Sequence, residues 1–200
     1  DSYSPEMPKY IGKIINHVSG FDKEITKRFI NDMADFIQTR KKRRTAFLFQ
    51  GTEGTGKGFL FTVVFNNIFG SDYCSQTDMH AFKGQFNSFL ESNIYVLVNE
   101  ISGNFSSHNE NMSTIEKIKI AITDEVIQIE GKGKDRYNGK NNCSFVFASN
   151  RDNALVIPID DRRFNVAPKQ EQKINETEWW LGDENMEKMV LSELQGFVWY

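Results

Sequence analysis

The chain has 200 residues, 39% of them hydrophobic and 13% aromatic, and its 24 Lys and Arg against 27 Asp and Glu leave a formal charge of −3. That length suits one compact domain with a single core, because chains divide into further domains only beyond roughly 250–300 residues, and the mean hydropathy of −0.50 argues against a membrane span. The negative balance excludes a polycation that binds nucleic acid by bulk attraction, so any such binding has to come from local clusters.

Cys74 and Cys143 are the only cysteines. Their separation fits reduced thiols and gives no metal-ligand spacing. The opening DSYSPEMPKYIGK has no signal-peptide pattern, which points to an intracellular protein, and it lacks an initiator Met, so a fragment of a longer polypeptide is expected. Three stretches of one domain are expected: a helical segment over 1–44, an ATPase-like core over 45–168 and a helical segment over 169–200.

In chain order, Phe21, Ile25, Phe29, Ile30, Met33, Phe36 and Ile37 recur at three- and four-residue intervals and predict one amphipathic helix over 21–39. RKKRR, 40–44, offers cations to nucleic-acid phosphates or, as the favoured reading, complements the negative end of that helix and solvates an exposed turn. TAFLFQ, 45–50, reads as a buried strand, and FLFTVVFNNIF, 59–69, as a buried helix despite its β-branched content.

NIYVLVNE, 93–100, and SFVFASN, 144–150, read as two more core strands ending in polar residues, where open α/β sheets hold their ligands. Between them, Ser113 and Glu116 form the S-x-x-E pattern of a capping box ahead of a helix with isoleucines at 115, 118, 120 and 122. Residues 125–148 read as a protruding hairpin, with Asn138-Gly139 as its turn signal. Near the C-terminus, Met186, Met189, Val190, Leu191 and Leu194 predict a helix, flanked by Trp179, Trp180, Trp199 and Tyr200, whose expected role is packing.

The chemistry centres on Gly51-Thr52-Glu53-Gly54-Thr55-Gly56-Lys57, which matches G-x-x-x-x-G-K between a predicted strand and a predicted helix. Glycines there let consecutive N–H groups converge on phosphate oxygens while Lys57 reaches the terminal phosphates. Gly58 stands where a hydroxyl residue usually ligates magnesium, so phosphates, water, Thr55, Thr62 or the end of the 93–100 strand would have to hold the ion.

That strand ends in Asn99-Glu100, where Glu100 offers a carboxylate able to polarise an attacking water. Asn150 ends another strand with an amide able to hold water or a γ-phosphate. In IPIDDRRFNV, 157–166, Arg162 and Arg163 follow two aspartates, either as structural ion pairs or as guanidinium groups offered to a neighbouring subunit.

The series GTEGTGKG, FLESNIYVLVNE, IEGKGKDRYNGKNNCSFVFASN and IPIDDRRF resembles the superfamily III helicases of the AAA+ class, especially the helicase part of virus-, phage- and plasmid-type primase-helicases. The resemblance spans about 45–168. It implies an α/β P-loop NTPase core with a central, mostly parallel sheet flanked by helices and a protruding β-hairpin. It implies ATP and Mg2+ as cofactors, with residues 51–58 around the nucleotide and Asn99 and Glu100 near the metal.

By the same resemblance, Glu100 activates water, Asn150 is the sensor, and Arg163 acts in trans with Arg162 as its competitor. Residues 131–142 match a pore hairpin, so Lys132, Lys134, Arg136 and Lys140 would face single-stranded DNA and Tyr137 would stack on a base. The implied protein is an ATP-dependent helicase in a homo-oligomeric ring, a hexamer, working with a primase or polymerase module in the host cytoplasm. Gly58 and Asn99 keep open a nucleotide-gated adaptor that does not hydrolyse ATP, and a P-loop kinase is the other alternative.

Overall fold

The computed structural model describes residues 8–79, 87–99, 108–131, 133, 135–151, 157–158 and 160–196, without the side chains of 108–111. The first half contributes helices α1 (Lys9–Val18) and α2 (Lys23–Thr39), strand β1 (Ala46–Gln50) and helix α3. Helix α3 passes from an α-helical turn at Lys57–Phe59 through a π-helical stretch at Leu60–Phe65 to Asn66–Phe69. Next come β2 (Cys74–Asp78), the short α4 (Phe89–Ser92), β3 (Tyr95–Asn99) and α5 (His108–Thr123). The remainder is β4 (Val126–Ile129), β5 (Tyr137–Lys140), β6 (Ser144–Ser149), β7 (Phe164–Val166) and α6 (Asp183–Gly196).

Five strands make one parallel sheet in the order β2-β3-β6-β1-β7, and β4 pairs antiparallel with β5 in a separate ribbon. The three central strands are buried on both faces, which is why each reads as a continuous apolar run. Their side chains alternate. Phe47, Phe49, Tyr95, Leu97, Val146 and Ala148 face a core shared with α1, α2, α3 and α6, while Leu48, Val96, Val98, Phe145 and Phe147 face one shared with α5 and the hairpin. The first core is rich in edge-on rings, including Phe29 against Phe47 at 4.8 Å and Phe36 against Tyr95 at 5.4 Å.

Helix α2 begins at Asp22, whose carboxylate accepts from the N–H groups of Glu24 and Ile25 at 2.9 Å. Thr26, Phe29, Met33 and Phe36 form its buried face. Phe21 does not belong to that stripe: it lies in the preceding turn at φ 60° and is 50% exposed. The basic run after α2 is taken up locally. Arg43 pairs with Asp32 and Asp35, Arg44 with Glu125, and Lys42 donates to the carbonyls of Ala121 and Asp124 at the end of α5.

Two local expectations are corrected. Helix α5 starts at His108, so Ser113 sits inside it and is not its cap; HNENM carries no Pro or Gly to stop the helix from extending towards its N-terminus. In the hairpin, Asn138 and Gly139 lie within β5, opposite Gln128 and Ile127, and the connection runs through 130–136. Gly139 serves close packing and not a turn, because a Cβ there would stand 2.5 Å from Ile129 Cγ1. The hairpin is anchored at the β4 side of its connecting end, where Asn87 accepts from Glu130 N–H and donates to the Gln128 carbonyl.

Both cysteines are free and buried, and burial pushes each thiol up to about 12, which keeps them protonated and inert. Among the described residues, no helix is long and apolar enough to cross a membrane.

Candidate active site

Strand β1 delivers the glycine loop to the carboxyl edge of the sheet. Gly54 at φ +84° and Gly56 at φ +87° take the left-handed conformation that an L side chain rarely adopts, and helix α3 starts at Lys57. With β6 lying between β1 and β3, the loop, Asn150 after β6 and Asn99 at the end of β3 are brought to the same edge. They line one cavity of about 680 Å³, within the range of small-molecule and cofactor sites.

Lys57 turns its ammonium into the loop, donating to the carbonyls of Gly51 at 2.8 Å and Thr52 at 3.0 Å and to Thr55 Oγ1 at 3.0 Å. Burial lowers its pKa to about 8, with Glu53 opposing the shift. The loop therefore holds a cation at the opening of a helix, the kind of position where anions bind.

Thr55 is buried and its hydroxyl donates to the Thr52 carbonyl. Thr62 is exposed and bonds back to the Gly58 carbonyl at 3.0 Å. Neither hydroxyl is therefore idle. Asn99 donates its amide to Gln76 Oε1 at 2.9 Å, which leaves its own carbonyl oxygen as an acceptor on the cavity. Gly58 has open space around it: an added Cβ would meet nothing within 4 Å. The donor set fits a phosphate chain fully, and it fits magnesium through phosphate oxygens, water and Asn99. Glu100 lies outside the described residues.

A part of the site with no motif signal comes from beyond β7. Residues 167–174 run along β1 and over the loop: Ala167 N–H donates to Leu48, Gln170 N–H to Gln50, Thr52 N–H back to Gln170, and Ile174 N–H to Gly54, all at 2.9–3.0 Å. Thr52 Oγ1 adds a bond to the Glu171 carbonyl at 3.1 Å. His17 at the end of α1 holds this strap from behind, through Nε2 to the Gln172 carbonyl and by accepting from Gln170 Nε2. The strap brings Lys173, Asn175, Trp180 and Asp183 onto the cavity.

The arginine pair lies elsewhere, before β7. Arg163 is bound within its own chain to Asp161, which also pairs with Lys119 at 3.4 Å, whereas Arg162 is exposed. On the hairpin, Arg136 pairs with Glu130, Tyr137 is 41% exposed and donates its hydroxyl to Glu91 Oε2 at 2.5 Å, and Lys140 is exposed. Lys132, Lys134, Trp199 and Tyr200 lie outside the described residues.

A family model described as a family of unknown function, DUF5906, matches residues 49–163, the loop through the arginine pair. A curated protein named DNA primase-polymerase, from Nitratiruptor phage NrS-1, is 30% identical over 195 residues; these are 98% of this chain and 26% of that protein. Solved apo structures of the NrS-1 C-terminal region are similar to this chain. One superposes with a TM-score of 0.82 at 28% identity over 98% of this chain and 48% of that one. A second gives 0.78 at 28% identity, covering 98% and 47% respectively.

Proposed function

The chain belongs to the DUF5906 family, and on that premise we propose that it is the ATP-driven motor domain of a phage-type replication protein, an ATPase that translocates on DNA and unwinds it. The observation that carries the reading is the convergence of the glycine loop, Lys57, Asn99 and Asn150 on one cavity at the carboxyl edge of a parallel sheet. The similar phage protein is named a DNA primase-polymerase, and this chain corresponds to about a quarter of its length, so the motor would serve a larger replication polypeptide.

In this reading the loop amides and Lys57 bind the β- and γ-phosphates, Asn150 positions the attacking water or the γ-phosphate, and Glu100 takes the water's proton. Magnesium, when bound, neutralises the charge on the phosphate oxygens. Asn99 is the described residue that would reach its hydration shell. Subunits assemble as a ring in which Arg162 or Arg163 of one completes the site of the next. Such an arginine is worth about 10³–10⁵ in rate in systems of this chemistry, so dispersed subunits would be nearly inactive. Hairpin residues Lys132, Lys134, Arg136, Tyr137 and Lys140 would meet single-stranded DNA, with Arg136 and Tyr137 exchanging Glu130 and Glu91 for phosphate and base.

The test is ATP hydrolysis against protein concentration, with and without single-stranded DNA, for the chain and for Lys57→Ala and Glu100→Gln. Turnover that rises steeply with concentration, is stimulated by DNA and is lost in both variants is expected. ATP binding without turnover under every condition would replace the motor with a nucleotide-gated adaptor, the reading that Gly58 and Asn99 favour.

A further inference from the structure

The strap that shapes the glycine loop is seated on a histidine. His17, near the end of α1, is 0% exposed. Its Nε2 lies 3.1 Å from the Gln172 carbonyl oxygen, and its own carbonyl accepts from Gln170 Nε2 at 2.9 Å. Gly20 presses on the same stretch, where a Cβ would stand 2.5 Å from the Pro168 carbonyl oxygen. The end of α1 is therefore the surface against which residues 168–172 rest.

A carbonyl oxygen only accepts, so Nε2 carries the proton of the neutral ring and Nδ1 keeps a lone pair. Nδ1 is buried and has no hydrogen-bond partner among the described residues. The rings of Phe21 and Trp179 pack edgewise with the imidazole, centroids 5.3 and 6.0 Å away. A second proton would turn Nδ1 into a donor on a charged ring, buried with nothing to accept from it.

The charged side chains of the surrounding elements do not compensate. On α1, Lys13 sets its ammonium over the Trp179 ring at 5.8 Å, and a cation there opposes another. In the turn that follows, Asp22 gives its carboxylate to the N–H groups of Glu24 and Ile25. On the strap, Lys169 pairs with Glu171 at 3.6 Å and Lys173 lines the cavity, while Glu178 beyond it is exposed. Burial lowers the pKa of His17 from 6.5, the Gln172 carbonyl opposes the shift, and no charged group enters the balance.

We infer that His17 is a proton-sensitive latch: the strap stays docked while the imidazole is neutral, and protonation releases it from α1 and from the glycine loop. Release takes with it the bonds from Thr52 N–H to Gln170 and from Ile174 N–H to Gly54, and draws Trp180 from its edge-on place against Phe59 at 4.9 Å. The inference concerns the shape of the loop and holds whatever ligand the cavity takes. Since the docked state keeps the ring neutral, docking is at full strength above pH 6.5 and weakens as pH falls below it, by up to about tenfold per pH unit for one proton.

Amide hydrogen exchange between about pH 7.5 and about pH 5, with each rate divided by the intrinsic rate at that pH, tests it. Protection of the Thr52, Gln170 and Ile174 amides is expected to fall below pH 6.5, while Val96 and Phe147 in the central strands keep theirs. His17→Gln, whose amide still donates to the Gln172 carbonyl and does not titrate, is expected to abolish the fall. Strap protection that ignores pH, or that falls equally in His17→Gln, overturns the latch. Protection lost in the strands together with the strap also overturns it, since His17 would then support the fold as a whole. Carbon-13 titration of the His17 ring in the unaltered chain needs no variant to fold: a ring that titrates at or above pH 6.5 overturns the inference, and one that titrates below it is expected.

Discussion

Ile174 closes over Gly56 so tightly that a Cβ on the glycine would stand 2.6 Å from Ile174 Cδ1. Gly56 also holds φ +87°, and this dihedral is the firmer constraint against a side chain, because Ile174 Cδ1 ends a flexible side chain that can turn aside. Gly56→Ala is expected to cost about 1–3 kcal/mol of stability and to abolish nucleotide binding. Thermal melting and ATP titration would read the two effects. Pairing it with Ile174→Ala relieves the contact and not the dihedral, so binding stays lost in the double variant.

Gly58, two residues further on, is the opposite case. It has negative φ and open space for a Cβ, so Gly58→Ser is expected to fold normally and to gain about 0.5 kcal/mol from the helix propensity of serine over glycine. The new hydroxyl would stand at the magnesium position of the motif. A lower magnesium requirement for nucleotide binding is therefore expected, measured by titrating the metal at fixed ATP.

If the chain binds ATP as proposed, Lys57 makes that binding depend on pH. Its ammonium loses its proton around pH 8 in the free protein, and polyphosphate at the loop raises that pKa by stabilising the charged form. Binding below pH 8 therefore finds the cation already formed, while binding above it must take up a proton. ATP affinity is expected to be level below pH 8 and to fall above it, by up to about tenfold per pH unit. Lys57→Ala, which binds weakly at any pH, should lose this slope.

The two arginines before β7 should separate in experiment. Arg163 is tied to Asp161 and Arg162 is exposed, so Arg163→Ala is expected to lower the melting temperature, while Arg162→Ala leaves the stability within about 0.5 kcal/mol of the parent. Under the ring reading, Arg162→Ala then removes the concentration-dependent part of ATP hydrolysis. Unchanged hydrolysis in Arg162→Ala and loss in Arg163→Ala would assign the role acting between subunits to Arg163.

The parts of the fold legible in the sequence are those where burial on both faces writes a continuous apolar run. Strands β1, β3 and β6 read that way, and so does helix α3, whose eleven mostly apolar residues at 59–69 are too many for a buried strand. Edge strands β2 and β7 carry no such signature: CSQTD is largely polar, and FNV is three residues long. Asn138-Gly139 misled for a physical reason. The dipeptide favours tight turns through its backbone freedom, but here the glycine is present because Ile129 packs where its Cβ would be.

In the site, a motif with a spacing rule announced the loop, and polar residues ending apolar strands announced Asn99 and Asn150. The strap was not announced. Its bonds to the loop run mostly through its own backbone, from Gln170, Glu171 and Ile174, and backbone bonding leaves no mark in residue type. Trp180 carried a weak signal, as one of two adjacent tryptophans among acidic residues, but its place beside Phe59 depends on the strap's path.

The glycine loop follows directly on β1, yet Gly51, Thr52 and Gly54 take their partners from residues about 120 positions later in the chain. Closing so long a segment costs entropy before any contact repays it. The loop therefore acquires its shape only after the sheet has brought the two segments together. On refolding, ATP binding should return later than the far-ultraviolet signal of the helices and strands, which makes competence for nucleotide a late event in the life of each new chain.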